Sequence, residues 1–349
     1  MSLPFEMIVH THTHRYPEME AQDYAKLAYQ SEFGPAHMLS ADPAVVLQVL
    51  SQEWHDAPDA LTPTVPENIG NGLCRFPLSP RTWSDEGVQL LNRLFRLTAE
   101  SCNGTSEGLE SKLMLLESLP IPDIKEWIIH YRQSGCPAPR HSAAYNAAYH
   151  PHYRLLRSEY AHYFPLLLRI QSLVNAEHPV LIAIDGRCGS GKTSLAKLLA
   201  SLFPCRLFHT DDFYLPMNRR VENWQSIPAG NMDLSRLREE VLLPARANEE
   251  IFYRPFSCCT QQLLDSVPMP PALLNIVEGS YSLHPELEQL YDLKIFLTTS
   301  KEEQERRLRV REGDYFSAFQ SLWIPLEEQY HHACGLPADT LELDTTTFF

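Results

Sequence analysis

No Cys-x-x-Cys pair occurs among the eight cysteines, which stand at 74, 102, 136, 188, 205, 258, 259 and 334. Without such spacing they form neither a zinc pattern nor a small disulfide framework, and a reduced, cytoplasmic setting is the expectation. No stretch approaches the roughly 18 uninterrupted apolar residues that span a bilayer, so no membrane partner is expected. The first twenty residues hold no basic segment followed by an apolar run, so no signal peptide is expected. Positive charge is in deficit: 29 Lys and Arg stand against 44 Asp and Glu, for a net charge of −15. The counts are 13 and 20 up to residue 178 and 16 and 24 beyond it, so neither half is basic. Nucleic acid is therefore not an expected partner, although a phosphate site, being local, is still open. No internal repeat or low-complexity tract is present.

The composition is that of an ordinary globular protein, with 44% hydrophobic and 21% charged residues. At about 100–200 residues per domain, the chain is long enough for two. Residues 1–175 show helical periodicity at Gln22–Glu32, Ala44–His55, Asp85–Glu100 and Glu107–Leu119, with a further helix over Tyr153–Ala176 interrupted or kinked near Pro165. Asp56–Pro80 and Cys136–Arg140, rich in Pro and Gly, read as loops. A mostly helical domain is expected there.

From residue 176 to 349 the pattern changes. Short strands (Val180–Ile184, Cys205–His209, Leu273–Val277, Leu293–Thr298) alternate with helices (Lys192–Leu202, Leu234–Leu243, Lys301–Glu312). Such alternation predicts an α/β domain, a parallel sheet with helices on both faces, and the GxxxxGK[ST] run over residues 186–193 makes it P-loop NTPase-type.

Chemistry concentrates in this half. Gly186-Arg187-Cys188-Gly189-Ser190-Gly191-Lys192-Thr193 fits GxxxxGK[ST], preceded by a strand and followed by a helix that opens with Ser194. Glycines let the backbone wrap a phosphate at a helix N-terminus, Lys192 reaches the β- and γ-phosphates, and the Thr193 hydroxyl meets Mg²⁺. ATP and Mg²⁺ are the expected cofactors. His209-Thr210-Asp211-Asp212-Phe213-Tyr214 ends the next strand, where a carboxylate can accept the proton of an attacking hydroxyl or hold Mg²⁺ through water; the plainer alternative is a turn cap. Glu278, ending a third strand before Gly279, is placed to serve as a metal or water ligand, or else as a solvated strand end. Arg306, Arg307, Arg309 and Arg311 share one helix, with Arg307 and Arg311 four apart on one face. One or two of them are expected over the developing phosphoryl charge, against the plain reading of ion pairs with neighbouring glutamates.

Together DGRCGSGKT, HTDDFYLP, YRPF at 253–256, VEGSY, and YDLKIFL with its arginine helix resemble the uridine kinase branch of the uridine kinase/phosphoribulokinase group, over roughly residues 178–345. The resemblance implies a kinase for a small hydroxyl-bearing metabolite. It implies Asp211 as general base, Mg²⁺ on Thr193, Asp211 and Glu278, a base-holding aromatic at Tyr253, and ribose contact at Asp233, with Tyr214 also in the acceptor pocket; Arg254, next to Tyr253, is expected there as this chain's own addition. The sequence departs from that branch at Asn231-Met232-Asp233 and at Arg254-Pro255-Phe256. A fixed cation at Arg254 favours a more polar acceptor than uridine, unless Arg254 points outward to a surface acid. A kinase for a non-nucleoside alcohol and an ATP-binding regulatory module without phosphotransfer are the competing classes.

Ten of the fifteen histidines precede residue 163. His10, His12 and His14 alternate, as on one face of an exposed edge strand; metal ligation lacks a partner at matching spacing. Phe33-Gly34-Pro35-Ala36-His37 and Arg140-His141-Ser142, with Tyr145 and His150-Pro151, combine turn residues with polar groups. They line a ligand pocket or pack helix ends. Regulation, homo-oligomerisation and completion of the acceptor pocket are all open roles for this domain.

Overall fold

The structure, a computed structural model, describes residues 4–39, 42–57, 63–78 and 85–347. It divides into two units, residues 1–169 and 170–347. Among the described residues no helix is long and apolar enough to cross a membrane.

The first unit carries helices α1 (Phe5–Arg15), α2 (Ala21–Phe33), α3 (Pro43–His55), α4 (Asp85–Ser101), α5 (Ser106–Ser118), α6 (Ile124–Gln133) and α7 (Ala143–Tyr149). The starts of α3, α5 and α7 rest on short polar side chains that accept orphan backbone N–H groups. Asp42 accepts from Ala44 N, Thr105 from Gly108 N and Ser142 from Tyr145 N. The apolar stripe of α4, Val88, Leu91, Leu94 and Phe95, turns inward at helical spacing.

Three expectations are corrected here. His10, His12 and His14 lie on α1, not on a strand. Ile8, Val9, His12 and Tyr16 point inward while His10 and His14 stay exposed, because successive alternate positions rotate by about 200° on a helix. The expected loop over Asp56–Pro80 contains a hairpin, β1 (Glu67–Gly70) and β2 (Leu73–Pro77), while its residues 58–62 and 79–80 lie outside the described set. Asn71 and Gly72 turn it with φ of 52° and 71°, the backbone that a two-residue hairpin needs. The helix expected from Tyr153 begins later: Tyr153–Arg157 is β3, antiparallel to β2, and α8 spans Ser158–Val174 with Pro165 inside it.

A polar network lies beneath this small sheet. Arg75 is fully buried on β2 and donates through Nε and Nη2 to Gln30 Oε1 at 3.1 and 2.9 Å. Gln30 Nε2 donates to Tyr153 Oη (3.1 Å), Tyr153 lies 2.7 Å from His141 Nε2, and His141 Nδ1 lies 2.8 Å from Asp23 Oδ1. An ionised Asp23 only accepts, so His141 carries a proton on Nδ1. Burial holds His141 down at about 4, with only partial compensation from Asp23. Burial, then the nearby Arg75, holds His12 at about 3. Burial raises the Asp23 carboxyl, but hydrogen bonds from His141, Ser142 and Glu20 outweigh it and leave the group below its ordinary value.

The sign of the pH effect follows. Both histidines have folded pKa values below the unfolded value near 6.5. The unfolded chain therefore binds more protons on acidification, and their contribution is lost as pH falls from about 6.5 towards 4. Hydrogen exchange at pH 7, 6, 5 and 4 should show protection in Phe5–Arg15 and Tyr153–Arg157 declining across that window. Constant protection from pH 7 to 4 would refute the neutral-histidine assignment.

In the second unit, β4 (Val180–Gly186) is buried at every residue, so both faces of the sheet are covered there. Helix α9 (Lys192–Leu202) returns the chain to β5 (Cys205–His209), followed by β6 (Leu274–Glu278), β7 (Leu293–Thr298) and β8 (Leu341–Asp344). All pairings are parallel and the order is β8-β7-β4-β6-β5. The strand at Leu341–Asp344 adds an edge that the alternation pattern did not predict. Between β5 and β6, Leu237, Val241 and Ala245 pack on Leu181, Ala183 and Val277 of the sheet. Two small antiparallel ladders, Ile251–Tyr253 with Val267–Met269 and Phe256–Ser257 with Gln262–Leu263, project from the same segment. After β7 come α10 (Lys301–Glu312) and α11 (Ile324–Cys334).

Candidate functional site

Parallel register brings the carboxyl ends of β4, β5 and β6 together: Glu278 is opposite Ile184 on one side and His209 on the other. The phosphate loop therefore opens beside both acidic strand ends, at the edge of the sheet where ligands of open α/β folds bind. Gly186 is required by space and by backbone angle: its φ is +142°, and a Cβ would lie 2.1 Å from the carbonyl oxygen of Leu297. Gly279 is a second such position, with φ +133° and Thr210 Oγ1 2.0 Å from where a Cβ would sit.

Lys192 Nζ donates to the carbonyls of Gly186 (2.7 Å) and Arg187 (3.1 Å), which fixes it across the mouth of the loop. Thr193 Oγ1 donates to Glu278 Oε1 at 3.1 Å, and His209 Nδ1 donates to the same oxygen at 2.6 Å. The bond to Glu278 raises the His209 pKa. Asp211 accepts from Tyr214 Oη at 3.0 Å and is exposed, whereas Asp212 turns the other way and accepts from Tyr253 Oη at 3.3 Å. Burial raises the Asp212 carboxyl and, with Asp211 beside it, the Tyr214 phenol. Residues 210–213 form a tight 3₁₀ turn, not a strand continuation, and the two neighbouring carboxylates still part.

The donor set fits a nucleotide with its metal. Among the described residues no three His, Cys, Asp or Glu side chains form a closed metal cage. Nucleotide-bound Mg²⁺ needs no such cage, only one or two carboxylates and the phosphates themselves. The Thr193 hydroxyl and Glu278 carboxylate supply hard oxygens side by side. The Ser190 hydroxyl, in the loop, is buried without a partner in the protein, and Ser194 follows in the first turn of α9.

The expected acceptor residues are arranged differently from one another. Backbone bonds from Leu215 N to Asn231 O and from Asp233 N to Phe213 O lay the Asp233 segment along the Asp211 turn. The Asp233 carboxylate caps the helix at Leu234, accepting from Arg236 N, and faces Arg219 Nη1 at 3.5 Å. Tyr253 is a core residue, 7% exposed, packed between Phe208 and Phe213, not an open wall for a base. Arg254 pairs with Glu240 at 2.5 Å on the surface, the outward arrangement of the two the sequence left open. The cation nearer the turn is the half-buried Arg236: it lies over Phe213 at 4.3 Å and donates to the carbonyls of Asp212 and Arg254. One Arg in an LSRLREE helix carries no sequence signal for that role.

The arginine helix is also divided. Arg307 donates to the loop carbonyl of Gly189 (3.2 Å) and to Thr345, so it braces the phosphate loop from outside. Arg311, the other arginine expected over phosphate, is exposed and pairs with its neighbour Glu312. Arg306 and Arg309 pair with Glu303 and Glu305, as the plain reading had it.

No protein-family profile matches the chain. Among curated proteins it is 26% identical over 121 residues to the uridine-cytidine kinase C of Dictyostelium discoideum, covering 34% of this chain and 27% of that protein. It is 27% identical over 142 residues to the uridine kinase of Ureaplasma urealyticum, covering 37% of this chain and 67% of that protein. The chain thus spans about a quarter of the first relative and two thirds of the second. Among solved structures, a gluconokinase from Sinorhizobium meliloti aligns over 48% of this chain and 84% of its own, with 19% identity and a TM-score of 0.30. The C-terminal half thus carries a phosphate loop with acidic strand ends beside it, and over about a third of its length the chain is similar to uridine and uridine-cytidine kinases.

Proposed function

We propose that the C-terminal unit transfers the γ-phosphoryl group of ATP to a hydroxyl of a nucleoside-like small molecule. The observation that carries this is the convergence of Lys192, Thr193 with Glu278, and Asp211 at three adjacent strand ends. Loop N–H groups and Lys192 hold the phosphates. Thr193, Glu278 and Asp211 are the groups that would hold Mg²⁺, which neutralises phosphate charge when bound. Asp211 takes the acceptor hydroxyl proton as the acceptor oxygen bonds to phosphorus, while the bond from that phosphorus to the β–γ bridging oxygen breaks and ADP leaves. The relatives that act on uridine and cytidine support a nucleoside acceptor.

A second reading, a kinase for a non-nucleoside alcohol, is favoured by one observation: Asp233 is engaged by its own helix and faces Arg219, and Tyr253 is packed away. A thermal-shift screen of nucleosides, vitamins and sugars with a non-hydrolysable ATP analogue separates the two. Uridine or cytidine should raise the melting midpoint, and uridine turnover should reach about 10⁴ M⁻¹s⁻¹ in kcat/KM if it is a natural substrate. A shift with a sugar or vitamin alone would select the second reading. ATP binding with no productive acceptor would point to a regulatory module.

A further inference from the structure

The outer surface of the phosphate loop is braced by two helices that come late in the chain. Gln304 Nε2 donates to the carbonyl of Cys188 at 2.9 Å, and Arg307 to that of Gly189. From α11, Glu328 accepts from Nε and Nη2 of Arg187, at 2.6 and 3.2 Å, and Tyr330 donates to Asp185 at 2.9 Å. Glu327 meets a backbone N–H of the loop itself. Its Oε2 accepts from the backbone N–H of Cys188 at 2.7 Å, and its Oε1 from the Ser280 hydroxyl at 2.5 Å. It is 7% exposed, so both bonds lie away from competing water.

We infer that Glu327 is a positioning residue of the nucleotide site, tying the phosphate loop to the end of β6; this rests on the nucleotide reading above. The need for such a tie is physical. Gly186, Gly189 and Gly191 all take positive φ, so the loop has little conformational preference of its own. A loop that must present several N–H groups to one phosphate binds well only if its shape is set beforehand. Glu327 restrains the Cys188 peptide through its N–H while Gln304 restrains it through its carbonyl, and Ser280 anchors the carboxylate to the strand that carries Glu278. The carboxylate does not touch the reacting atoms on this account; it acts through the loop.

The test uses the full chain, a fluorescent ATP analogue with Mg²⁺, and thermal melting in parallel. Lys192→Ala serves as the control for the site itself. Glu327→Ala should weaken analogue binding by about tenfold or more, the scale of one charge-assisted hydrogen bond, while Ser280→Ala weakens it less. The double variant should bind no worse than Glu327→Ala alone, since both remove the same tie. If Glu327→Ala does not fold, Glu327→Gln, which keeps the volume and one acceptor oxygen, should bind at an intermediate level. Wild-type binding by a folded Glu327 variant, with Lys192→Ala impaired, would overturn the inference alone. Tighter binding would also overturn it, showing a carboxylate that repels the nucleotide. If neither Lys192→Ala nor Glu327→Ala changes binding, the nucleotide reading falls and takes this inference with it.

Discussion

Lys192→Ala is expected to lower ATP turnover by at least about 10²–10³-fold, the cost of losing a cation aimed at charge that develops in the transition state. The side chain lies across the loop, bonded to the carbonyls of Gly186 and Arg187 and not packed in the core. Removing it costs those two hydrogen bonds, each worth about 1 kcal/mol net, and leaves no cavity. The melting midpoint should therefore fall by only a few degrees. A coupled ADP-release assay beside a thermal melt measures both quantities. A variant that melts like wild type and keeps full turnover would show that the loop does not hold the transferring phosphate.

Asp211→Asn should retain ATP affinity and lose about 10²–10⁴-fold in turnover, the usual cost of removing a general base. The structure sharpens the comparison with its neighbour. Asp211 is exposed beside Tyr214, free to meet an acceptor, whereas Asp212 is half-buried against Tyr253. Asp212→Asn should cost less than about tenfold in turnover and act mainly on stability, because it disturbs a packed Tyr253 and not a reacting atom. Steady-state kinetics of the two variants with the best acceptor from the screen decides this. Equal losses at both positions would remove the distinction in roles.

The chemistry of the second unit was legible because its parts are local. The phosphate loop needs only a strand, eight residues and a helix start in unbroken succession, and Val180 to Leu202 supplies them. The acids at 211 and 278 were visible because each directly follows a strand pattern, and parallel pairing then sets them side by side. In the first unit, Asn71-Gly72 was an available hairpin signal, outweighed by the surrounding Pro and Gly. Inward Ile8, Val9, His12 and Tyr16 carry a helical period, but the alternating histidines drew attention to a period of two.

By itself, then, the sequence determined the parallel α/β unit, the phosphate loop, and which acids stand at its strand ends, since each depends on neighbours along the chain. Only the tertiary structure decided which arginines and acids reach that loop. Arg307 touches it and Arg311, one turn on, does not; Arg236 is half-buried at the Asp211 turn while Arg254 sits on Glu240 at the surface. Glu327 meets Cys188 across 139 residues of chain. A lone charged residue in a polar helix looks the same whether it faces water or a backbone N–H. The difference lies in how the helix docks on the sheet, which is set by burial of apolar surface far from the residue in question.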